Sequence, residues 1–335
     1  MNINELGEFG LVDRLAKKIQ IRNASTLKGV GDDAAVIAAS SRCSLLSTDM
    51  LLEGIHFDLT YVPMKHLGYK AAMASFSDVY AMNGYPQQMV VSLGISKRFG
   101  VEHIEELYEG MLLACERHGV DLVGGDTSTS LTGLTIGVSV LGECEPDKVV
   151  YRSGAKPTDL VCLTGSLGSA YMGLLLLERE KKVFEVNPNA APQLTGHEQI
   201  IEKYLKPEAN REAILSLREA DVVPTSMIDI SDGLASDMLQ ICKQSGVGAH
   251  IYLDKIPIAK QCMDMAEEMN FDAVTAALNG GEDYELLFTI PLSLHSKVKD
   301  LGGAAIIGHI VEQSKGALLI PPNGEPVRLQ AQGFR

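Results

Sequence analysis

Five short segments of this chain set an aspartate among glycine, serine or threonine and directly against apolar sequence. They are GVGDDAAVI (Asp32, Asp33), LLSTDMLLEGIHF (Asp49), SFSDVYAMN (Asp78), LVGGDTSTS (Asp126) and MIDISDGLASDM (Asp229, Asp232). A carboxylate so placed belongs at the rim of a hydrophobic core, where an unpaired charge is costly. Taken singly, each reads as a turn or helix N-cap, and Asp232 ahead of Gly233 fits that reading. Asp78 does not: Ala71, Ala74, Asp78 and Ala81 share one helical stripe, which aims the carboxylate at small packed residues. If these groups converge, two carboxylates about 5 Å apart repel by about 3 kcal/mol at an effective dielectric of 20, and several such pairs rival a domain's net stability. Cations must then fill the gap. Ligation by carboxylates, water and hydroxyls such as those of Ser47 and Thr48 is the preference of magnesium rather than zinc, and magnesium so held usually carries phosphate oxygens.

Around these segments, apolar runs of strand character alternate with longer helical patterns, as in mixed α/β layers. Strands are expected at Ser44 to Thr48, Met89 to Ile95, Leu134 to Gly142, Leu160 to Thr164, His250 to Leu253, Tyr284 to Ile290 and Ala304 to Ile310. Helices are expected at Lys65 to Met82, Val101 to His118, Ser169 to Lys182, His197 to Leu205, Arg211 to Ala220, Gly233 to Gln244 and Ala259 to Met269, with Gly119 and Gly246 as C-caps. The charged, proline-bearing stretch Gly142 to Asp159 breaks the pattern, so the chain divides into domains at 1–145 and 146–335. Val183 to Thr195 reads as a surface loop of the second.

A formal charge of −14 argues against nucleic acid or an anionic membrane as partner, because both require an exposed basic surface. No apolar stretch approaches the roughly 20 residues that span a bilayer, and the start, MNINELGEFG, lacks the basic and apolar regions of a signal peptide, so the cytoplasm is expected. The six cysteines include no CxxC pair, which points to reduced, partly buried thiols. The chemistry narrows further by what is missing. There is no Gly-Lys dipeptide and hence no Walker A loop, no HRD or DFG triplet, and neither HExxH nor G-x-S-x-G. GVGDDA lacks the third glycine of a dinucleotide fingerprint.

In order, the segments GVGDDAAVI, STDMLLEGIHF, GYKAAMASFSDVYAMNGYP, GGDTS, RSGAKPTD, TGSLGSAYMGL, IDISDGL and GGEDYELLF resemble the thiamine-monophosphate kinases, a family of the aminoimidazole ribonucleotide synthetase superfamily. The resemblance spans nearly the whole chain. It implies an α/β (α+β) fold of two domains, ferredoxin-like at the N-terminus and α/β at the C-terminus, in a homodimer whose N-terminal sheets form a shared barrel. ATP then lies in the cleft between domains. The activity implied is magnesium-dependent, direct in-line transfer of the γ-phosphoryl group of ATP to thiamine monophosphate, yielding thiamine diphosphate.

Carried over by motif, Asp33, Ser47, Thr48, Asp49, Asp78, Asp126, Asp229 and Asp232 resemble magnesium ligands of the family. Gly125, Asp126, Arg152, Ser231 and Tyr108 resemble its ATP contacts, and Arg152 has the planar fork that grips phosphate. His56, Glu282 and Phe334 resemble its acceptor contacts; a cationic thiazolium ring is matched by a carboxylate and an aromatic face. One departure concerns Lys206 to Arg211: relatives tend to carry Arg-Pro-x-Pro-Arg, this chain reads KPEANR, and no role is assigned to it. No general base is expected, since an acceptor phosphomonoester with a second pKa of about 6 is already mostly ionised at neutral pH. The alternatives are another ATP-using member of the superfamily, a metal-dependent phosphatase, or a non-catalytic magnesium-nucleotide sensor.

Overall fold

The computed structural model of the chain describes residues 26–28, 32–39, 41–301 and 303–331. The first half builds a six-stranded sheet from β1 (Thr26–Lys28), β2 (Ala35–Ala38), β3 (Cys43–Leu52), β4 (Tyr85–Ile95), β5 (Asp121–Thr129) and β6 (Leu134–Cys144), in the order β1-β2-β3-β6-β4-β5. Only β4 and β5 run parallel; every other neighbour is antiparallel. Two helices, α1 (Met64–Ala81) and α2 (Val101–His118), supply the crossovers.

The second half holds a seven-stranded sheet from β7 (Leu160–Leu163), β8 (Ser226–Asp229), β9 (Val247–Tyr252), β10 (Leu286–Ile290), β11 (Ala305–Glu312), β12 (Ala317–Ile320) and β13 (Val327–Arg328). Its order is β13-β12-β9-β11-β7-β10-β8, with β12 and β9 parallel. Six helices accompany it: α3 (Ser169–Val186), α4 (Glu198–Leu205), α5 (Arg211–Glu219), α6 (Leu234–Ser245), α7 (Lys260–Glu268) and α8 (Ala273–Asn279). Mixed α/β construction around two sheets is what the alternating sequence pattern implies. Among the described residues no helix is long and apolar enough to cross a membrane, and all six cysteines are buried and unpaired.

The element that positions the site is α1. Its alanine-rich sequence favours helix, Pro63 stands at its N-cap, and Asn83 at φ 60° turns the chain out of it. Fourteen of its eighteen residues are buried, because the first sheet covers one side while α2 and the second half of the chain cover the others. Gly68 and Gly110 let α1 and α2 touch backbone to backbone: a Cβ at either position would lie under 2 Å from a carbonyl oxygen, 1.9 Å from Leu107 and 1.8 Å from Lys65 respectively. One hydrophobic cluster runs without a break from Val36, Phe76 and Val138 of the first half to Ile214, Met227 and Phe288 of the second.

Helix α3 continues through Val186, so the expected surface loop begins later than Val183. Strand β5 goes unread because DLVGGDTST is rich in glycine and hydroxyls and lies exposed at a sheet edge. The short strands β1, β2, β8, β12 and β13 and helix α8 also escape the periodicity; Asp272 starts α8 by accepting from the Val274 and Thr275 N–H groups.

Candidate functional site

Strand alternation decides which aspartates meet. Along β3, Cys43, Leu45, Ser47, Asp49 and Leu51 face inward onto α1, while Leu46, Thr48 and Met50 face out. Helix α1 answers with hydroxyls and acids of its own. Ser47 Oγ donates to Asp78, and Ser75 Oγ donates to Asp49, so strand and helix are stitched by two reciprocal serine–aspartate bonds. Asp229, at the end of β8, accepts from Ser77 Oγ at 2.7 Å. Asp33, just before β2, completes the group: ligand atoms of Asp33, Asp78 and Asp229 lie within 4.8 Å of one another.

Burial raises the pKa of Asp78 well above the ordinary carboxylate value, and repulsion from Asp49, Asp229 and Asp33 adds to it. Asp229 is raised in the same way, by burial and then by Asp33. Asp49 is raised by burial, with the Ser75 hydrogen bond opposing. The only guanidinium on the cluster among the described residues is that of Arg152, which forks onto Asp33 through Nε at 2.8 Å and Nη2 at 2.9 Å. Such a set of hard oxygen donors, buried at Asp33 and Asp229 and half-buried at Asp49 and Asp78, like-charged and short of cations, fits magnesium.

Other residues singled out from the sequence fall elsewhere. Cross-strand register puts Asp49, Val138, Val91 and Gly125 in one row on the inner face, and Met50, Gly137, Ser92 and Asp126 in the next row on the outer face. The two-residue period therefore turns the side chains of Thr48 and Asp126 to the face opposite the cluster; the Thr48 hydroxyl donates to the Val138 carbonyl at 3.1 Å. Gly125 sits where a Cβ would fall 2.0 Å from the Val91 oxygen. Arg152 is engaged with Asp33 instead of standing open for phosphate. Ser231 is exposed and gives its carbonyl to the Glu282 N–H at 2.9 Å. Tyr108 is half-buried on α2 against the first hydrophobic cluster, the core packing that a tyrosine on an amphipathic helix ordinarily has. Phe334 lies outside the described residues.

Asp237 was not singled out by the sequence reading. Buried in the first turn of α6, it accepts from the Asp232 N–H at 3.3 Å and so shapes the loop that carries Asp232. Burial, then Asp232 and Asp229, push its pKa well up. The third aspartate of MIDISDGLASDM, one turn past Gly233, was the available signal.

A cavity of about 870 Å³ opens where residues 54–61 meet α3, α4 and α8. His56 and Glu282 both line it, together with Tyr61, Tyr171, Tyr204 and Phe271. His56 is fixed by its Nδ1, which accepts from the Leu52 N–H at 3.0 Å. Glu282 stands at φ 57° and is held by buried Lys70 at 2.7 Å, whose ammonium also lies 4.0 Å from the centroid of the Tyr204 ring. Buried Tyr284 joins cavity to cluster: burial raises its pKa, with Glu282 adding to the shift from one side and Asp49, Asp229 and Asp78 from the other.

The segment Lys206 to Arg211 proves to be a clasp between the two halves. Glu208 accepts from Tyr69 Oη at 2.7 Å and from Arg117 at 3.0 Å. Asn210 starts α5 by accepting from the Ala213 N–H, and it donates to Glu285 at 2.7 Å. The neighbouring Asp283 is pushed up to about 7 by burial while it accepts from the Gly168 and Ala170 N–H groups at the start of α3.

Family models for AIR synthase related protein match in both halves, the N-terminal domain over residues 31–144 and the C-terminal domain over residues 156–321. The chain is 34% identical to thiamine-monophosphate kinase of Aquifex aeolicus (strain VF5), with 97% of this chain and 98% of the relative covered. It is 31% identical to thiamine-monophosphate kinase of Bacillus subtilis (strain 168), covering 98% and 99%. Among solved structures it matches AaThiL complexed with AMPPCP and TMP at a TM-score of 0.85 and 31% identity, over 100% of this chain and 98% of that one.

Proposed function

The chain belongs to the thiamine-monophosphate kinase family of the AIR synthase related proteins, and from that premise we infer that it transfers the γ-phosphoryl group of ATP to thiamine monophosphate. The observation that carries the inference is the seam at residues 282–284. The Glu282 and Tyr284 N–H groups donate to the Ser231 and Ile230 carbonyls, so an aromatic, carboxylate-bearing cavity is welded to a buried acidic cluster. A cationic acceptor ring suits the first and a polyphosphate with its counter-ions suits the second.

In the transfer, an oxygen of the acceptor's phosphate forms a bond to the γ-phosphorus as the bridging bond to the β-phosphate breaks and ADP leaves. That oxygen is already mostly ionised at neutral pH, so no side chain need remove a proton. What the chain contributes is position and field. Asp33, Asp49, Asp78 and Asp229 would hold magnesium, which when bound neutralises the two phosphate groups that must approach. Ser47, Ser75 and Ser77 fix the orientation of those carboxylates, Arg152 balances Asp33, and Glu282 and His56 hold the acceptor.

The remaining parts of the proposal rest on the same frame. Residues 1–145 supply the nucleotide and metal groups, and residues 146–335 complete the cleft. The outer face of the first sheet, which leaves Leu46, Met50 and Val90 exposed, pairs with a second copy to give a homodimer. Six unpaired thiols suit the reducing cytoplasm.

The test is ADP formation with ATP and magnesium, with and without thiamine monophosphate. Acceptor-dependent ADP supports the kinase. Phosphate release that ignores the acceptor would instead identify a phosphatase, and tight nucleotide binding without turnover a sensor.

A further inference from the structure

The acceptor cavity is lined by three carboxylates, Asp58, Glu178 and Glu282, and no lysine or arginine is among its described lining residues. Two of the three are already neutralised from behind the wall. Asp58 is bound by Lys181 at 2.6 Å, and Glu282 by Lys70 at 2.7 Å. Glu178 differs: half-buried on α3, it takes part in no ion pair or hydrogen bond among the described residues, and Lys181, which senses its charge, is bound to Asp58 instead. Its placement follows from helical spacing, since Tyr171, Leu174, Leu175 and Glu178 stand at i, i+3, i+4 and i+7 and form one stripe along the cavity wall.

The stripe faces an aromatic pair. Tyr61 and Tyr204 lie with ring centroids 6.4 Å apart at 47°. Burial pushes the Tyr61 hydroxyl up to about 12, and Glu178 is the next contributor after burial, ahead of Asp58. Tyr204 is raised too, by burial first, with Glu282 and Glu178 both adding. The same two rings are therefore flanked by both carboxylates, of which Glu282 is in direct contact with an ammonium and Glu178 is not. A carboxylate without a direct ion-pair partner, beside aromatic faces, is the arrangement that binds an organic cation.

We propose that Glu178 is a specificity-determining residue of the acceptor site, supplying the negative charge that selects an acceptor with a cationic ring, while the Lys70-neutralised Glu282 positions that ring. This rests on the kinase reading above and names the group through which that site reads charge.

The probes are thiamine monophosphate and its isostere in which the thiazolium nitrogen is replaced by carbon, leaving a neutral thiophene. Kd by calorimetry and KM by ADP release are measured for both with the wild-type enzyme, Glu178→Gln and Glu282→Gln. In Glu178→Gln, KM for thiamine monophosphate is expected to rise about tenfold, the scale of a half-buried charge contact. The kcat value and KM for ATP should stay within about threefold, and the preference over the neutral isostere should fall to near one. Glu282→Gln weakens both acceptors while keeping the preference. The proposal is overturned if Glu178→Gln retains the wild-type preference, or if Glu282→Gln is the variant that abolishes it. A wild-type protein that prefers the cation in binding yet forms no ADP overturns the kinase reading and leaves Glu178 standing; failure to bind either probe overturns both.

Discussion

Replacing Asp78 by asparagine should make the metal-free protein more stable and the enzyme nearly inactive. The substitution preserves shape and keeps an oxygen to accept from Ser47, so charge is what changes. Asp78 shares with Asp33 and Asp229 a space in which ligand atoms lie within 4.8 Å, a separation at which an ionised pair repels by about 3.5 kcal/mol at an effective dielectric of 20. Two effects reduce that figure. Arg152 offsets Asp33, and the raised pKa of Asp78 lets a proton relieve part of the repulsion before any mutation does. The net gain left for asparagine is about 1–3 kcal/mol, which for a chain of this size moves Tm up by about 2–6 °C. Differential scanning fluorimetry at pH 8 in EDTA reads it directly. With magnesium and ATP present the order should invert, and kcat should fall by about a hundredfold or more. A variant that melts below wild type in EDTA and still turns over normally would refute the reasoning, because the carboxylates would then be neither in mutual repulsion nor needed for transfer.

Further outcomes follow from the same geometry. Asp78 and Asp229 have raised folded pKa values, so between the unfolded value of about 3.9 and the folded one the native state binds more protons, and metal-free stability declines as pH rises; the Tm difference between magnesium and EDTA should widen from pH 5 to pH 8, and a constant difference would contradict it. Glu208→Ala removes the acceptor of the Tyr69 hydroxyl and loosens the clasp, lowering stability by about 1–2 kcal/mol in urea denaturation without altering acceptor preference; an unchanged midpoint would count against it. Gly125→Ala forces a Cβ to within 2.0 Å of the Val91 oxygen, so β5 must part from β4 and activity should fall with Tm, whereas wild-type behaviour would show that β5 yields freely. Thr48→Val should keep magnesium dependence within about threefold, because its hydroxyl faces away from the aspartates; loss of metal response would show that it is a ligand.

The sequence was most legible where period and chemistry agreed. The stripe that aims Asp78 inward is present on α1, and Gly119 and Gly246 end α2 and α6 in the left-handed conformation. The convergence of Asp33, Asp78 and Asp229 was readable from the repeated setting of each acid, although they come from a loop, a helix and a strand end. Facing was harder to read. Thr48 beside Asp49, and Asp126 beside Gly125, share the right composition, but only the register of β3, β6, β4 and β5 reveals that each pair splits across the sheet. Glu178 and Lys70 look like ordinary helical charges in the sequence, since nothing local shows that one lines a cavity and the other is buried at 2% exposure beneath it. The KPEANR segment was silent because its partners, Tyr69, Arg117 and Glu285, are far away in the chain.

Helix α1 carries Lys70 toward the aromatic cavity and Asp78 into the carboxylate group, 8 residues further along one side. At 1.5 Å per residue that is roughly 12 Å of rigid rod, locked against α2. On the proposed function, the rod acts as a gauge block between two workpieces: it sets the span from ring to reacting oxygen before either ligand arrives. A phosphomonoester with a longer or shorter tether would dock its ring correctly and still present its oxygen out of step, and inserting one residue into the rod would rotate one station by about 100° relative to the other.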